Sequence, residues 1–182
     1  MAGLEDAVVA AAGRGDQVAV EELYRDLAPR VLGYLRARGV EDPEGLTDEV
    51  FMTVIPRLAE LRGGAAGCRT LVFSVAHARA VDDLRRRTRG PHLSVYEQEL
   101  DPRLVDSAET VVMGGVATER VGQLLDELGE EQRAVIMLRI LGDLSLEQTA
   151  GVLGRSVGSV KQLQRRGLLR LRALMDDEGR IS

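Results

Sequence analysis

The sequence predicts an all-α protein with two small helical domains joined by an acidic linker, the second being a helix-turn-helix domain. Three observations predict this class. Apolar residues make up 45% of the 182 residues, yet aromatic residues make up only 3%, and no apolar run alternates with period two. The apolar residues recur instead at spacings of three and four, as on one face of a helix. Residues 144–161 also have the pattern of two helices joined by a tight turn.

The N-terminal part of the chain predicts a short element followed by a long amphipathic helix. Residues 1–15 are rich in alanine and predict a short helix or an ordered arm. Asp16 can cap a helix over 17–38, and Gly39 can end it. Pro29 lies inside this helix and predicts a bend or an interruption, because proline lacks the backbone donor that a helix uses.

Two further helices complete the first half of the chain. Residues 42–44 combine a capping aspartate, a proline and an acid, and they start a helix that Pro56 is expected to kink. The glycine-rich stretch 63–67 predicts a flexible break. A third helix over 68–87 ends in a cluster of arginines, where cations suit the negative end of the helix dipole.

The middle of the chain separates two regions of clear helical periodicity. Between Gly90 and Gly115 the apolar residues have no clear helical period, and the prolines and acids of this stretch predict a linker. We therefore divide the chain into a first domain over 1–90, a linker over 91–117 and a second domain over 118–182. The second domain starts with two predicted helices that precede the helix-turn-helix.

The helix-turn-helix pattern rests on capping and turn signals. Ser145 and Gln148 form a capping box for the first helix, and Gly154 can take the left-handed conformation that ends it. The second helix is polar and basic on its outer face, as insertion into a major groove requires. An ordinary helical hairpin with a solvated basic face is the alternative. The candidate residues for contact with duplex DNA are Arg155, Ser156, Ser159, Lys161, Gln162, Arg165 and Arg166.

The charge distribution favours nucleic acid even though the formal net charge is −5. Residues 145–175 contain six basic residues and one acid, and 69–89 contain six arginines and two aspartates. Residues 91–130 contain nine acids and two arginines. Local field decides phosphate attraction, since charges are screened beyond about 8–10 Å. The acidic middle either mimics nucleic acid in a basic channel or keeps the two basic regions apart.

Several classes of function lack the residues they need. The single cysteine, Cys68, excludes an internal disulfide, and with only two histidines the chain has no zinc-ligand spacing. No nucleophile–base constellation or phosphate loop is present, so we expect no enzyme, no catalytic residue, no cofactor and no metal. No signal peptide or membrane span is apparent, and we expect a cytoplasmic protein.

Taken together, these motifs resemble the extracytoplasmic-function (ECF) sigma factors of bacterial RNA polymerase. Residues 128–139 resemble the helices that lead into the family's promoter-reading domain, and 144–161 resemble its helix-turn-helix. In the first half, 46–51, 73–77 and 80–86 resemble motifs of the polymerase-binding and promoter-melting domain.

The resemblance covers about nine-tenths of the chain, with four departures. The family usually has an acid where Gly45 stands, tryptophans near Ile55 and Leu71, and an asparagine at Ala78.

The resemblance implies a division of labour. The first domain is expected to bind the clamp of the largest subunit of core polymerase and the unwound minus-10 element. The second is expected to read the minus-35 duplex and meet the flap of the second-largest subunit. An anti-sigma factor is a further partner that the family implies.

Specific residues follow from the same resemblance. The residues expected to contact the clamp are Leu46, Asp48, Glu49 and Met52. The alternative is that Leu46 lies in the core and that the acids are solvated. Residues 63–68 are either a mobile loop beside an extruded base or a plain connector. The candidates for the single-stranded minus-10 element are His77, Arg79, Arg85, Arg86 and Arg87.

A second function remains open at this point. A stand-alone helix-turn-helix regulator would bind duplex DNA without polymerase, and it would need a dimer face or a ligand pocket in its N-terminal half. That half instead carries a second basic region, which suits the handling of separated strands.

Overall fold

A computed structural model describes residues 4–89 and 115–178, here called the N-terminal and C-terminal halves. The predicted linker, 91–117, lies outside the described residues except for its last three, which begin a helix. The described residues form eight α-helices, one 3-10 helix and no strand, so the all-α prediction is confirmed. The α-helices are α1 (Asp6–Gly13), α2 (Gln17–Ala37), α3 (Pro43–Val54), α4 (Gly64–Arg89), α5 (Gly115–Asp126), α6 (Glu130–Ile140), α7 (Leu146–Leu153) and α8 (Val157–Glu178).

The predicted caps of the first half are confirmed. Asp16 Oδ1 accepts a hydrogen bond from the Ala19 amide at 3.1 Å at the start of α2. Asp42 does the same for Gly45 at 2.9 Å at the start of α3. Pro29 does not interrupt α2, which continues to Ala37, and neighbouring side chains such as fully buried Leu27 hold it in the core. The helix can absorb one lost hydrogen bond because its apolar face is buried.

Pro56 lies where the helix type changes, at the position where a kink was expected. The α-helical hydrogen bonding of α3 stops at Val54 and a 3-10 helix, Ile55–Glu60, follows. A proline in the first turn of the 3-10 helix needs no backbone donor, so it marks this change of geometry.

The prediction of a flexible break over 63–67 is wrong for its last four residues, which are the first turn of α4. For the same reason 63–68 is not a mobile loop. The cause lies in α1: Asp6 Oδ1 accepts a hydrogen bond from the Ala65 amide at 2.7 Å, across 59 residues of sequence. A carboxylate at this position satisfies an otherwise unpaired donor and opposes the positive end of the helix dipole.

The two halves share one hydrophobic core. Tyr34 and Phe73 of the N-terminal half are fully buried and meet edge to face, with ring centroids 5.8 Å apart. Leu138 and Leu144 of the C-terminal half are fully buried in the same cluster. α6 packs on α2, and α7 packs on α4. The structure therefore holds the helix-turn-helix directly against the N-terminal half.

Candidate nucleic-acid interface

The helix-turn-helix forms as its local signals predict. The Ser145 amide donates to Gln148 Oε1 at 2.7 Å, and the Gln148 amide donates to Ser145 Oγ at 3.1 Å, which completes the capping box. Gly154 takes φ +61°, a left-handed conformation that glycine adopts without strain. Ser156 Oγ then accepts from the Ser159 amide at 3.2 Å and caps α8.

A small core fixes α8 against its neighbours. Val135 of α6, Ala150 of α7 and Val160 of α8 are buried together. Further along α8, Gly167 approaches α6 so closely that a Cβ there would lie 2.6 Å from Ile136 Cδ1. Because one face of α8 is held in this way, its opposite face is fixed in orientation and turned to solvent.

That solvent face and the turn before it carry the residues predicted to meet duplex DNA. Lys161, Arg165 and Arg166 make no ion pair with any residue of the described ranges. Arg155 is different, because it pairs with Glu131 of α6. Ser159 is half-buried, and the other six predicted residues, Arg155, Ser156, Lys161, Gln162, Arg165 and Arg166, are exposed.

The second basic surface lies at the C-terminal end of α4. Arg85, Arg86 and Arg87 are exposed, but they are not equivalent. Arg87 lies 3.0 Å from a carboxylate oxygen of buried Asp83 and donates to the Gly39 carbonyl at 2.7 Å. Arg86 approaches the same carboxylate at 3.8 Å, whereas no ion pair in the described residues involves Arg85. Part of the arginine cluster is thus explained by local structure.

The other two predicted minus-10 residues differ in exposure. Arg79 is exposed and lies 3.8 Å from Glu49. His77 is half-buried, and its Nδ1 is hydrogen-bonded to the Tyr34 hydroxyl at 2.8 Å. Burial, with help from nearby Arg38, lowers the pKa of His77 to about 4. His77 is therefore neutral near pH 7 and offers no cation to a phosphate.

A cleft lined by both charged and apolar side chains joins the two predicted DNA surfaces. It has a volume of about 340 Å³ and lies between α4 and the C-terminal half. His77 and Arg85, predicted for the minus-10 strand, line it together with Arg155, predicted for the minus-35 duplex. Arg38 and Glu130 also line it, and these two residues had no predicted role.

The residues predicted to contact the polymerase clamp divide between core and surface. Leu46 is buried, with 7% of its surface exposed, and Phe51 is buried beside it. Asp48 and Glu49 are exposed, and Met52 is 67% exposed. A large apolar side chain left in solvent on the outer face of α3 is available to a partner.

An apolar groove between α2 and α3 was not predicted. Its volume is about 780 Å³. The Tyr24 hydroxyl donates to Asp48 Oδ1 at 2.9 Å along its edge, and this bond raises the pKa of Tyr24. The signal was present in α2, whose apolar stripe is widened by Tyr24 and Leu32. The apolar part of the groove's lining comes from Val20, Tyr24, Ala28, Pro29, Leu32 and Ile55, and the polar part from Glu21, Arg25, Glu44, Thr47 and Asp48.

Among the described helices, none combines the length and the hydropathy that crossing a bilayer demands.

Comparisons with known proteins agree with this geometry. Residues 124–173, which contain the helix-turn-helix, match the family "Sigma-70, region 4". The chain is 31% identical over 180 residues to the ECF RNA polymerase sigma factor ShbA of Streptomyces griseus, covering 93% of this chain and 94% of ShbA. It is 30% identical over 175 residues to the ECF sigma factor SigD of Mycobacterium tuberculosis, covering 92% of this chain and 82% of SigD.

The fold also resembles a solved structure. CnrH, solved in complex with the cytosolic domain of CnrY, matches with a TM-score of 0.64 at 23% identity, over 94% of this chain and 97% of CnrH. The likeness is one of fold. Because the sequence matches to curated relatives extend over nearly the whole chain and its helix-turn-helix matches region 4, the protein belongs to the ECF sigma factors, which direct RNA polymerase to promoters.

Proposed function

We propose that the two halves of this sigma factor divide promoter recognition between them. Residues 1–90 bind core polymerase and the unwound minus-10 element, 118–182 read the minus-35 duplex, and 91–117 connect them. The observation that carries this proposal is the pair of separate basic surfaces, one on α8 and one at the end of α4.

The α8 surface suits a duplex. Lys161, Arg165 and Arg166 are exposed cations without an ion-pair partner in the described residues. A phosphate or a guanine edge can therefore bind these side chains without breaking an existing ion pair. Gln162 lies among them and can pair with adenine through both groups of its amide. The capped start of α8 fixes the register of these side chains.

The α4 surface suits single strands. Arg79, Arg85 and Arg86 are exposed, while Arg87 is tied to Asp83 and Gly39. Separated strands are bound through cationic grooves that follow the phosphates, together with stacking surfaces or pockets. We therefore assign phosphate contact to Arg79, Arg85 and Arg86, and a supporting role in the fold to Arg87.

The groove between α2 and α3 is the proposed docking site for the clamp of the largest polymerase subunit. Its lining is mostly apolar, and exposed acids, Asp48 and Glu49, stand with Met52 on the adjoining face of α3. A helical partner with an apolar stripe and basic flanks would bury the groove and pair with these acids. Leu46 supports the groove from the core.

We further propose that an anti-sigma factor binds to the C-terminal half. A second, smaller groove of about 420 Å³ on the C-terminal half is lined by Leu146, Leu168 and Leu169, with Lys161 and Arg165 at its edge. Leu168 and Leu169 are 47% and 56% exposed. An acidic amphipathic helix of an anti-sigma factor fits this combination, and it would compete with DNA because the two cations serve both ligands.

We also propose that the protein is a non-catalytic factor of the cytoplasm, where polymerase and promoters are found. The proposed contacts use groove burial and phosphate pairing, neither of which requires bond chemistry in this chain.

Run-off transcription with sigma-free core polymerase tests the proposed function. A genomic fragment library is the template, and the chain is added in increasing amounts. New transcripts that start at defined positions support the proposal. The proposal is wrong if no defined transcript start depends on the added chain. It is also wrong if the chain binds duplex DNA tightly but does not bind core polymerase. Sequencing the starts also gives the promoter elements.

A further inference from the structure

Arg155 differs from the other cations predicted to meet duplex DNA. It lies in the turn between α7 and α8, immediately before Ser156, which caps α8. Its Nη2 donates a hydrogen bond to Glu131 Oε1, so the guanidinium is paired with a carboxylate of α6. Lys161 and Arg165 have no ion-pair partner within the described residues. One of the predicted DNA-binding cations is therefore already paired inside the protein.

The backbone on both sides of this ion pair is held in place. Gly154 is left-handed, with φ +61°, and the Arg155 amide donates to the Ala150 carbonyl at 3.0 Å, which closes the end of α7. Glu131 is the second residue of α6, and Val135 of the same helix is buried in one cluster with Ala150. Both partners are therefore attached to the same small core.

The ion pair holds the Arg155 side chain away from the cations that we assign to the duplex. Arg155 and Glu131 line the cleft described above, together with Leu163 of α8. Lys161 and Arg165 line a different groove of the C-terminal half. Leu163 is half-buried, whereas Lys161 and Arg165 are exposed, so the two sets lie on different sides of α8. Arg155 must leave Glu131 before it can join the exposed cations on a phosphate.

The pair is exposed enough for a phosphate to displace the carboxylate. The side chains of Arg155 and Glu131 are 48% and 54% exposed. An exposed ion pair typically changes an equilibrium by no more than about fivefold, because water and salt screen it. The adjacent acid, Glu130, is in a different position, because it pairs at 2.8 Å with Arg38, whose side chain is only 5% exposed. Of these two neighbouring acids, Glu131 is the one that DNA can replace.

We propose that Glu131 competes with DNA phosphates for Arg155 and thereby lowers the affinity of the sigma factor for duplex DNA of random sequence. The inference rests on the proposed role of α8 in duplex binding. Glu131 acts through Arg155, so it is a positioning residue. On random sequence the exchange of carboxylate for phosphate gains little free energy, and one phosphate contact stays unmade. Fewer molecules are then held on the nonspecific sites that compete with a promoter.

Glu131→Gln tests this competition, because the amide keeps the size of the side chain and removes its charge. The affinity of the full chain for a duplex of random sequence is measured over a range of salt concentrations. With Arg155 free to bind a phosphate, the affinity should rise about two- to fivefold. The slope of log affinity against log salt should steepen by about 0.9, the value for one added phosphate contact. In an Arg155→Ala protein the same substitution should leave this slope unchanged.

Asp126→Asn is the matched control for the loss of one negative charge. Asp126 lies in the same half of the protein, its side chain is 74% exposed, and it pairs with Arg133 at 3.1 Å. Arg133 is only 18% exposed, so removing its partner offers no new cation to DNA. Asp126→Asn should leave the salt slope unchanged and raise the affinity by less than Glu131→Gln does. The thermal unfolding midpoint of each variant checks that the fold is kept.

Three results would overturn the inference. One is a Glu131→Gln effect that is equally large when Arg155 is alanine, which would show a general effect of charge. Another is weaker duplex binding by Glu131→Gln, which would mean that the ion pair aligns Arg155 for DNA. The third is an affinity and a slope that do not change, or no duplex binding by any of these proteins at low salt. The assay contains no polymerase, so these results are separate from the transcription test of the proposed function.

Discussion

The Tyr34 hydroxyl and the His77 imidazole are hydrogen-bonded at 2.8 Å where the two halves of the protein meet. Tyr34 is fully buried, and burial raises its pKa well above the usual range. Both groups are therefore neutral near pH 7. This pair supports α2 against α4 beneath the cleft.

Acid should destabilise the protein through His77. Its pKa in the folded state is about 4, below the ordinary value of 6.5, so the unfolded chain binds this proton more readily. The contribution to stability is complete above pH 6.5 and is lost as the pH falls from 6.5 towards 4. We expect a loss of up to roughly 2 kcal/mol, allowing for the ring's partial exposure.

The measurement is the unfolding midpoint as a function of pH, with His77→Gln as the comparison. Carboxylates titrate in both proteins, so only the histidine separates the two curves. The wild type should lose more stability than the variant between pH 6.5 and 4. Parallel curves would contradict the assigned environment of His77.

The α8 surface predicts a salt-dependent effect on duplex binding. Lys161→Ala and Arg165→Ala should each weaken binding to a duplex of random sequence. Each should also lower the slope of log affinity against log salt by about 0.9 if one phosphate contact is lost. Arg170→Ala is the control, since Arg170 is already paired with Glu127 at 3.2 Å. Equal effects of all three substitutions would indicate a general loss of charge instead of a defined face.

The polymerase groove predicts a loss of binding without a loss of stability. Met52 is 67% exposed on α3, so Met52→Ala removes no core packing. We expect the unfolding midpoint to stay unchanged and the dissociation constant for core polymerase to rise several-fold. Met175→Ala is the matched control, because Met175 is 60% exposed on α8, away from the groove. A binding loss confined to the Met175 variant would move the docking site to the C-terminal half.

The Asp6 cap predicts a stability effect at a distance in sequence. Asp6→Ala should destabilise the protein by about 0.5–2 kcal/mol, the usual cost of losing a helix cap. Glu5→Ala is the control, because the Glu5 side chain makes no capping hydrogen bond. Chemical denaturation of both variants gives the comparison. If they have equal stability, Asp6 does not hold the start of α4.

Local signals explain what the sequence could predict. Asp16, Asp42, Ser145 and Ser156 each cap a helix through an amide three residues away, so short sequence patterns sufficed to place these helix starts. The first turn of α4 was missed because its capping residue, Asp6, lies 59 residues earlier in the chain.

In the candidate site, too, local features could be predicted from the sequence and contacts between distant residues could not. The exposed cations of α8 could be predicted from helical periodicity, which places them opposite Val160. The hydrogen bond from Arg87 to the Gly39 carbonyl and the one from Arg38 to Glu130 join residues 48 and 92 positions apart. Such pairs depend on how α2, α4 and α6 pack, and no local pattern specifies that packing.

Site-specific crosslinking in the promoter complex shows which promoter element each basic surface contacts. A photoreactive amino acid is placed at Gln162 on α8 and, in a separate protein, at Arg85 on α4, and each is assembled with core polymerase on a mapped promoter. We expect Gln162 to crosslink to the minus-35 duplex and Arg85 to the unwound minus-10 strand. Crosslinks from both positions to the same element, or none from Arg85 in an active complex, would contradict the proposed division of promoter recognition.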